Sequence, residues 1–296
     1  MASGDRVALV TGGGRGLGWG IARAFGLAGW KVWVTDVNEE ELAECAADLE
    51  ADRAEFMTAI SDVADREACQ GLVADIVGRW GRLDAVVHNA IYMPLVTFDD
   101  TTPEEWDRQL DVGLGGMFNL THAAWEQMKG QGSGHIIGVA SGSSFRGFKE
   151  EIAYCTIKHG VEGFVKALSL ESAGYDIALN TIGPGAPIKP TRMTRAELES
   201  LPEEEKAEWA DPLQLGRAFV WLASQPPARI NGYRLDAGPI VQTIDREGED
   251  FEFSPEKVTM YPDDFEAVKT GTRTIRVSRV VFGLAKHPGK QVARPA

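Results

Sequence analysis

Cysteine is scarce in this chain, with three among 296 residues: Cys45, Cys69 and Cys155. Three thiols make no disulfide framework, and their spacing suits no metal site. The five histidines, His88, His122, His135, His159 and His287, show no metal-ligand spacing either, so no metal is expected. Cationic residues are also short, 30 Lys and Arg against 44 Asp and Glu. The formal charge of −14 argues against nucleic acid, whose binding is driven by basic patches. No apolar run approaches the roughly 20 residues of a membrane span, and Met1 to Arg6 is too short for a signal sequence. No membrane partner is expected, and a reducing cytoplasm fits. With 44% apolar residues the chain can bury a full core. The simplest organisation is one domain over residues 1–243 and a C-terminal extension over 244–296.

What is present is sharper. The apolar run Val7-Ala8-Leu9-Val10 leads into Thr11-Gly12-Gly13-Gly14-Arg15-Gly16-Leu17-Gly18, and a helical pattern follows from Leu17 to about Ala28. Glycines let a backbone turn tightly and approach a bound group closely. The helix start then offers unpaired N–H groups and a positive dipole end to a phosphate. The next strand, Lys31 to Thr35, ends in Asp36, about 20 residues after the glycines, where a carboxylate meets ribose hydroxyls. Asp36 repels a 2′-phosphate and favours NAD over NADP, whereas Arg15 argues mildly the other way. Asn38 suits the cap of the following helix, Glu39 to Leu49, which leaves Asp36 for the ribose.

Strand and helix patterns continue to alternate. Strands are expected at Ala54–Ala59, Ala85–His88, His135–Ala140 and Asp176–Thr181. Helices are expected at Asp65–Trp80, Pro103–Met128 and Ile152–Ala173. This alternation implies an α/β protein, a Rossmann-type doubly wound parallel sheet with helices on both faces. Ligands then bind at the carboxyl ends of the strands, where Gly12 to Gly18, Asp36, Asp62, Asn89, Ser141 and Pro184-Gly185 all fall.

Ser141 closes the strand Ile136-Ile137-Gly138-Val139-Ala140, Tyr154 follows thirteen residues later, and Lys158 stands at i+4 from it. Positions four apart share a helix face. A lysine cation near a phenol stabilises the phenolate and lowers its pKa, which makes the tyrosine a usable acid/base near neutral pH. A nearby serine hydroxyl can hold a substrate oxygen. Cys155 beside Tyr154 reads as a packing residue.

With these residues in order, the chain resembles the short-chain dehydrogenase/reductase family over about residues 5 to 240. The shared motifs are Thr11 to Gly18, Asp62-Val63, His88-Asn89-Ala90, Ser141, Tyr154 to Lys158 and Asn180 to Gly185. The match is weaker through Trp221 to Ser224 and Asp236-Ala237-Gly238. The resemblance implies an NAD-dependent interconversion of a secondary alcohol and a ketone. Tyr154 would exchange the proton, Lys158 would bind the nicotinamide ribose and tune Tyr154, and Ser141 would position the carbonyl or hydroxyl. Gly12, Arg15, Gly16, Leu17 and Gly18 would surround the pyrophosphate. Asp62 and Val63 would hold the adenine, Asn89 and Ala90 the adenosine ribose, and Pro184, Gly185 and Pro187 the nicotinamide pocket. A homodimer or homotetramer paired through long helices is implied as well. Two alternatives stay open: a dinucleotide-binding protein with weak or no redox activity, and a non-redox isomerase or lyase on the same scaffold.

Three positions depart from the family pattern. Gly113 stands where the family commonly has an asparagine thought to hold a proton-relaying water, and a water in the vacated space is one reading. Ile91 replaces the glycine after Asn89-Ala90. Lys189 stands where a threonine is usual; Thr191 serves instead if the loop bulges, and otherwise Lys189 faces substrate. Candidate substrate contacts are Tyr92, Phe145, Arg146 and Met193, with Glu197 to Glu208 as an acidic helical flap. In the extension, Phe251, Phe253, Phe265 and Phe282 offer apolar surface for a neighbouring subunit or for covering its cleft, and Thr274 to Val280 alternates like a strand.

Overall fold

The computed structural model describes residues 5–172, 174–190, 193–260, 265–270 and 273–278; Ala173 and Thr191 lie outside the described residues. Seven parallel strands form one sheet: β1 (Val7–Thr11), β2 (Lys31–Asp36), β3 (Phe56–Ile60), β4 (Ala85–His88), β5 (Gly134–Val139), β6 (Ile177–Gly183) and β7 (Arg234–Asp236). Their order is β3-β2-β1-β4-β5-β6-β7. The chain thus reverses direction of growth between β1 and β4, which opens a crevice at their carboxyl ends.

Alternate strand residues feed two cores. Ala8, Val10, Val32 and Val34 point to one face, under helices α1 (Gly16–Leu27), α2 (Glu39–Ala51), α9 (Pro212–Ala223) and α10 (Ala237–Glu247). Val7, Leu9 and Trp33 point to the other, under α3 (Arg66–Trp80), α5 (Gly116–Gln131) and α6 (Ile152–Ser172). Burial on both faces explains why these strands read as continuous apolar runs. The expected Asn38 cap is present, its side chain accepting from the Glu41 N–H.

The helix expected over Pro103–Met128 is not uniform. The segment α4 (Pro103–Leu110) passes through one wide π turn, Asp111–Gly115, before α5. Gly113, Gly115 and Gly116 weaken the α-helix there. Gly116 is also needed sterically: a Cβ there would sit 2.7 Å from Val63 Cγ2 and 3.0 Å from His88 Cε1.

The expected boundary at 243/244 falls inside α10. Phe251 stacks on Trp221 at 4.7 Å between ring centroids, Phe253 meets Tyr233 edge-on, and Val258 is fully buried. Phe251 and Phe253 thus pack on the chain's own core, while the side chains of Phe265 and Phe282 lie outside what is described. A short helix, α11 (Pro255–Val258), ends this segment. The acidic stretch after Thr194 forms α7 (Arg195–Glu199) and α8 (Glu203–Lys206). Beyond it all, β8 (Phe265–Thr270) pairs antiparallel with β9 (Arg273–Ser278), which bears out a strand in that alternating stretch.

Candidate active site

A cavity of about 720 Å³ opens at the carboxyl ends of the strands. At one end the turn after β1 enters it with Gly12 and Gly16 at φ of +61° and +56°, a region that glycine occupies without strain. A Cβ on Gly12 would lie 2.7 Å from Ala90 Cα, and one on Gly18 would collide with the Gly12 carbonyl and the Asn89 amide. Gly18 itself does not line the cavity; it lets the turn close. Helix α1 has no side-chain cap and no acid in its first turn, so its leading N–H groups point at the space beside Gly16 and Leu17. That is a cradle suited to a pyrophosphate.

Asp36 lies at the rim of the same turn. One carboxylate oxygen accepts from Gly14 N–H at 2.9 Å and the other from Val37 and Asn38 N–H. Arg15, the expected counterweight, is paired with Glu41 at 2.8 Å. Asp62 is held by Arg108 at 2.8 Å, and Val63 is buried beside it. Asn119 donates to the Val63 and Ala64 carbonyls and so fixes that loop. Asn89 works through the turn as well as the wall: its amide donates to the Thr11 and Gly12 carbonyls at 3.1 and 2.8 Å. Ala90, Pro184, Gly185 and Pro187 line the cavity as expected.

At the other end Ser141, Tyr154 and Lys158 converge on one wall. The Ser141 and Tyr154 hydroxyls are hydrogen-bonded, and the Lys158 ammonium lies 5.4 Å from the tyrosine ring centre. Lys158 donates to the Val139 carbonyl at 2.7 Å. Burial lowers its pKa to about 8, against an opposing pull from Glu162. The expected drop in the Tyr154 pKa is not found. Desolvation raises it, the Ser141 hydrogen bond pulls the other way, and Glu151 and Cys155 add to the rise. The ammonium makes its short contact with a backbone carbonyl instead of the phenol oxygen, so burial wins.

The departures at Ile91 and Gly113 prove to be one feature. A Cβ on Gly113 would sit 2.5 Å from Ile157 Cγ2 and 2.9 Å from Ile91 Cδ1. The space that a larger residue vacates is therefore filled by isoleucine, not water. The Gly113 carbonyl accepts from His88 Nε2 at 2.8 Å.

Of the substrate candidates, Tyr92 and Phe145 line the cavity, while Arg146 and Met193 do not. Arg146 lies over the Phe145 ring at 5.0 Å, and the Met193 carbonyl accepts from Lys189. Arg234, Asp236 and Met260 line the cavity without having been anticipated. Arg234 lies over Phe145 at 4.7 Å and ion-pairs with Asp236 and the buried Glu162 at 3.3 and 3.6 Å. Glu162 stands one helical turn beyond Lys158, and burial raises its pKa although Arg234 opposes this. Its position at i+4 from Lys158 was the one available signal. Asp236 accepts from Thr259 Oγ1 and Met260 N–H, which ties the C-terminal segment to the cavity wall.

A family model described as short chain dehydrogenase matches residues 6–201. The chain belongs to the short-chain dehydrogenase family. It is 32% identical to an acetoacetyl-CoA reductase of Shinella zoogloeoides, over 79% of this chain and 97% of that one. It is also 32% identical to a D-threitol dehydrogenase of Mycolicibacterium smegmatis, over 78% and 90%. The fold matches that of a metagenomic short-chain oxidoreductase solved with NADP, at a TM-score of 0.67 and 23% identity, over 79% of this chain and 97% of that one. This short-chain dehydrogenase is thus an oxidoreductase of a family that binds a nicotinamide dinucleotide, and its glycine cradle fits one. Among the described residues no helix is long and apolar enough to cross a membrane, and no His/Cys/Asp/Glu group could hold a metal.

Proposed function

We propose that the protein is an NAD(H)-dependent dehydrogenase that interconverts a secondary alcohol and a ketone on a small or medium organic molecule. The observation that carries this reading is a single cavity with the glycine cradle and Asp36 at one end and the Ser141–Tyr154–Lys158 cluster at the other. When bound, the nicotinamide supplies or accepts the hydride. Ser141 holds the substrate oxygen by a hydrogen bond, and Tyr154 gives that oxygen a proton on reduction or takes one on oxidation. Lys158, whose ammonium lies 5.4 Å from the Tyr154 ring centre, would hold the nicotinamide ribose and oppose the burial that raises the Tyr154 pKa. With its pKa near 8, that cation is lost as pH rises past about 8, so reduction slows on the alkaline side.

The preference for NAD over NADP rests on charge. Asp36 presents a carboxylate where a 2′-phosphate would lie, and Glu41 holds Arg15. The NADP in the solved relative belongs to a protein of 23% identity and shares only the fold. Met1–Ala296 is expected to act as a homo-oligomer on a small molecule in the cytoplasm, with Ser141, Tyr154 and Lys158 as its chemical residues.

The test is a screen of ketones and alcohols, including acetoacetyl-CoA and threitol, followed by NADH and NADPH absorbance. Turnover is expected with NADH, and Tyr154→Phe is expected to lower kcat by about 10²–10⁴-fold. Turnover that survives Tyr154→Phe would refute the proton role of the tyrosine.

A further inference from the structure

Lys189 was expected to replace a threonine beside the substrate. The structure puts its head group elsewhere. A Cβ built on Gly16 would lie 3.8 Å from both Cε and Nζ of Lys189, which sets the ammonium over the first turn of α1. The residue is only 9% exposed, so its aliphatic stem is packed, and it lines the cavity. Its Nζ donates to the Met193 carbonyl at 2.6 Å. An ammonium has three donors, and that carbonyl takes one.

The electrostatics of this corner are unusual. Burial lowers the Lys189 pKa first, and Arg15 lowers it further, while Glu41 and Glu197 pull it up. Arg15 is paired with Glu41, which leaves the Lys189 ammonium and the positive end of an uncapped helix facing the same space. Placing a buried ammonium there is unfavourable without an anion. A pyrophosphate, with two negative charges and oxygen acceptors in several directions, removes the conflict.

We infer that Lys189 binds the pyrophosphate of the dinucleotide, closing over it from the loop that follows β6 while α1 receives it from below. The inference rests on the dinucleotide reading given above and assigns this side chain to the cofactor instead of the substrate. Lys189 already donates to the Met193 carbonyl, and a phosphate oxygen would link it to α1 as well.

The experiment measures direct binding, without turnover. Dissociation constants for NADH, NADPH, ADP-ribose and adenosine are determined by calorimetry for wild type, Lys189→Met and Lys189→Arg, at two salt concentrations. Lys189→Met is expected to weaken NADH and ADP-ribose alike, by about tenfold or more, because one charge-assisted hydrogen bond is lost. Adenosine, which has no phosphate, should bind as before, and this doubles as the check that the variant is folded. The salt dependence of NADH binding should become shallower in Lys189→Met and return in Lys189→Arg. Equal affinity of wild type and Lys189→Met for ADP-ribose would overturn the inference while leaving the dinucleotide reading intact. Weakening confined to NADPH would also overturn it, by moving the lysine to a 2′-phosphate. Wild type that binds neither NADH nor ADP-ribose would end both.

Discussion

Single residues here act in pairs. Ile91 and Gly113 look like separate losses in the sequence, yet their atoms share one volume with Ile157. Restoring a side chain at 113 overfills that volume. Gly113→Asn should destabilise the protein by about 1–3 kcal/mol, as overpacked cores do. The same substitution should cost less in an Ile91→Ala background, because neighbouring residues couple. Urea denaturation of the four variants of this cycle reads the effect, and strict additivity would separate the two positions again. Tyr154 and Lys158 were legible because a four-residue spacing on a helix is decided by local geometry. Their protonation was not, since it depends on what buries them. Glu162 and Arg234 come together from α6 and β7, and no local pattern announces such a contact.

Elements differ in how far they were readable. The strands from β1 to β6, all but β3 largely buried, stood out as apolar runs between helical patterns. Strand β7 did not, because three residues, two of them Arg234 and Asp236, carry no apolar alternation. The π turn was invisible for another reason: glycines only permit it, and the packing of Gly116 on Val63 and His88 requires it. The packing of the segment after α10 was not legible, because aromatic residues in an acidic stretch do not say which surface they cover. Phe251, 4% exposed and stacked on Trp221, now has a clear load. Phe251→Ala should cost about 3–5 kcal/mol, the usual penalty for truncating a buried phenylalanine. A thermal midpoint unchanged by this substitution would show the segment to be a passive cover.

For the whole molecule, two buried histidines set a limit on the acid side. His88 and His135 both have pKa values pushed down to about 4, by burial first of all. The unfolded chain takes up these protons near pH 6.5, whereas the folded one resists until about 4. Stability is therefore complete above about pH 6.5 and is lost as pH falls through that window. Between pH 7 and pH 5 the loss should be about 2 kcal/mol for each histidine. Urea midpoints at the two pH values test this, and His135→Gln should flatten the dependence. Equal midpoints for wild type at pH 7 and pH 5 would contradict the neutral, buried state of both rings.

Asp236, finally, gives the cavity a history. It faces the cavity, yet it is held by Thr259 and Met260, which come after the last strand of the sheet. The walls around Gly12, Asp36 and Asp62 follow the earliest strands, whereas Lys189 and α9, which pack against α1, come after β6. A ribosome therefore delivers the parts of the site at different times. A chain that stopped at Asp236 would carry this carboxylate in the wall without Thr259 and Met260, two of the donors that hold it, so residues made after the sheet is complete finish the cavity.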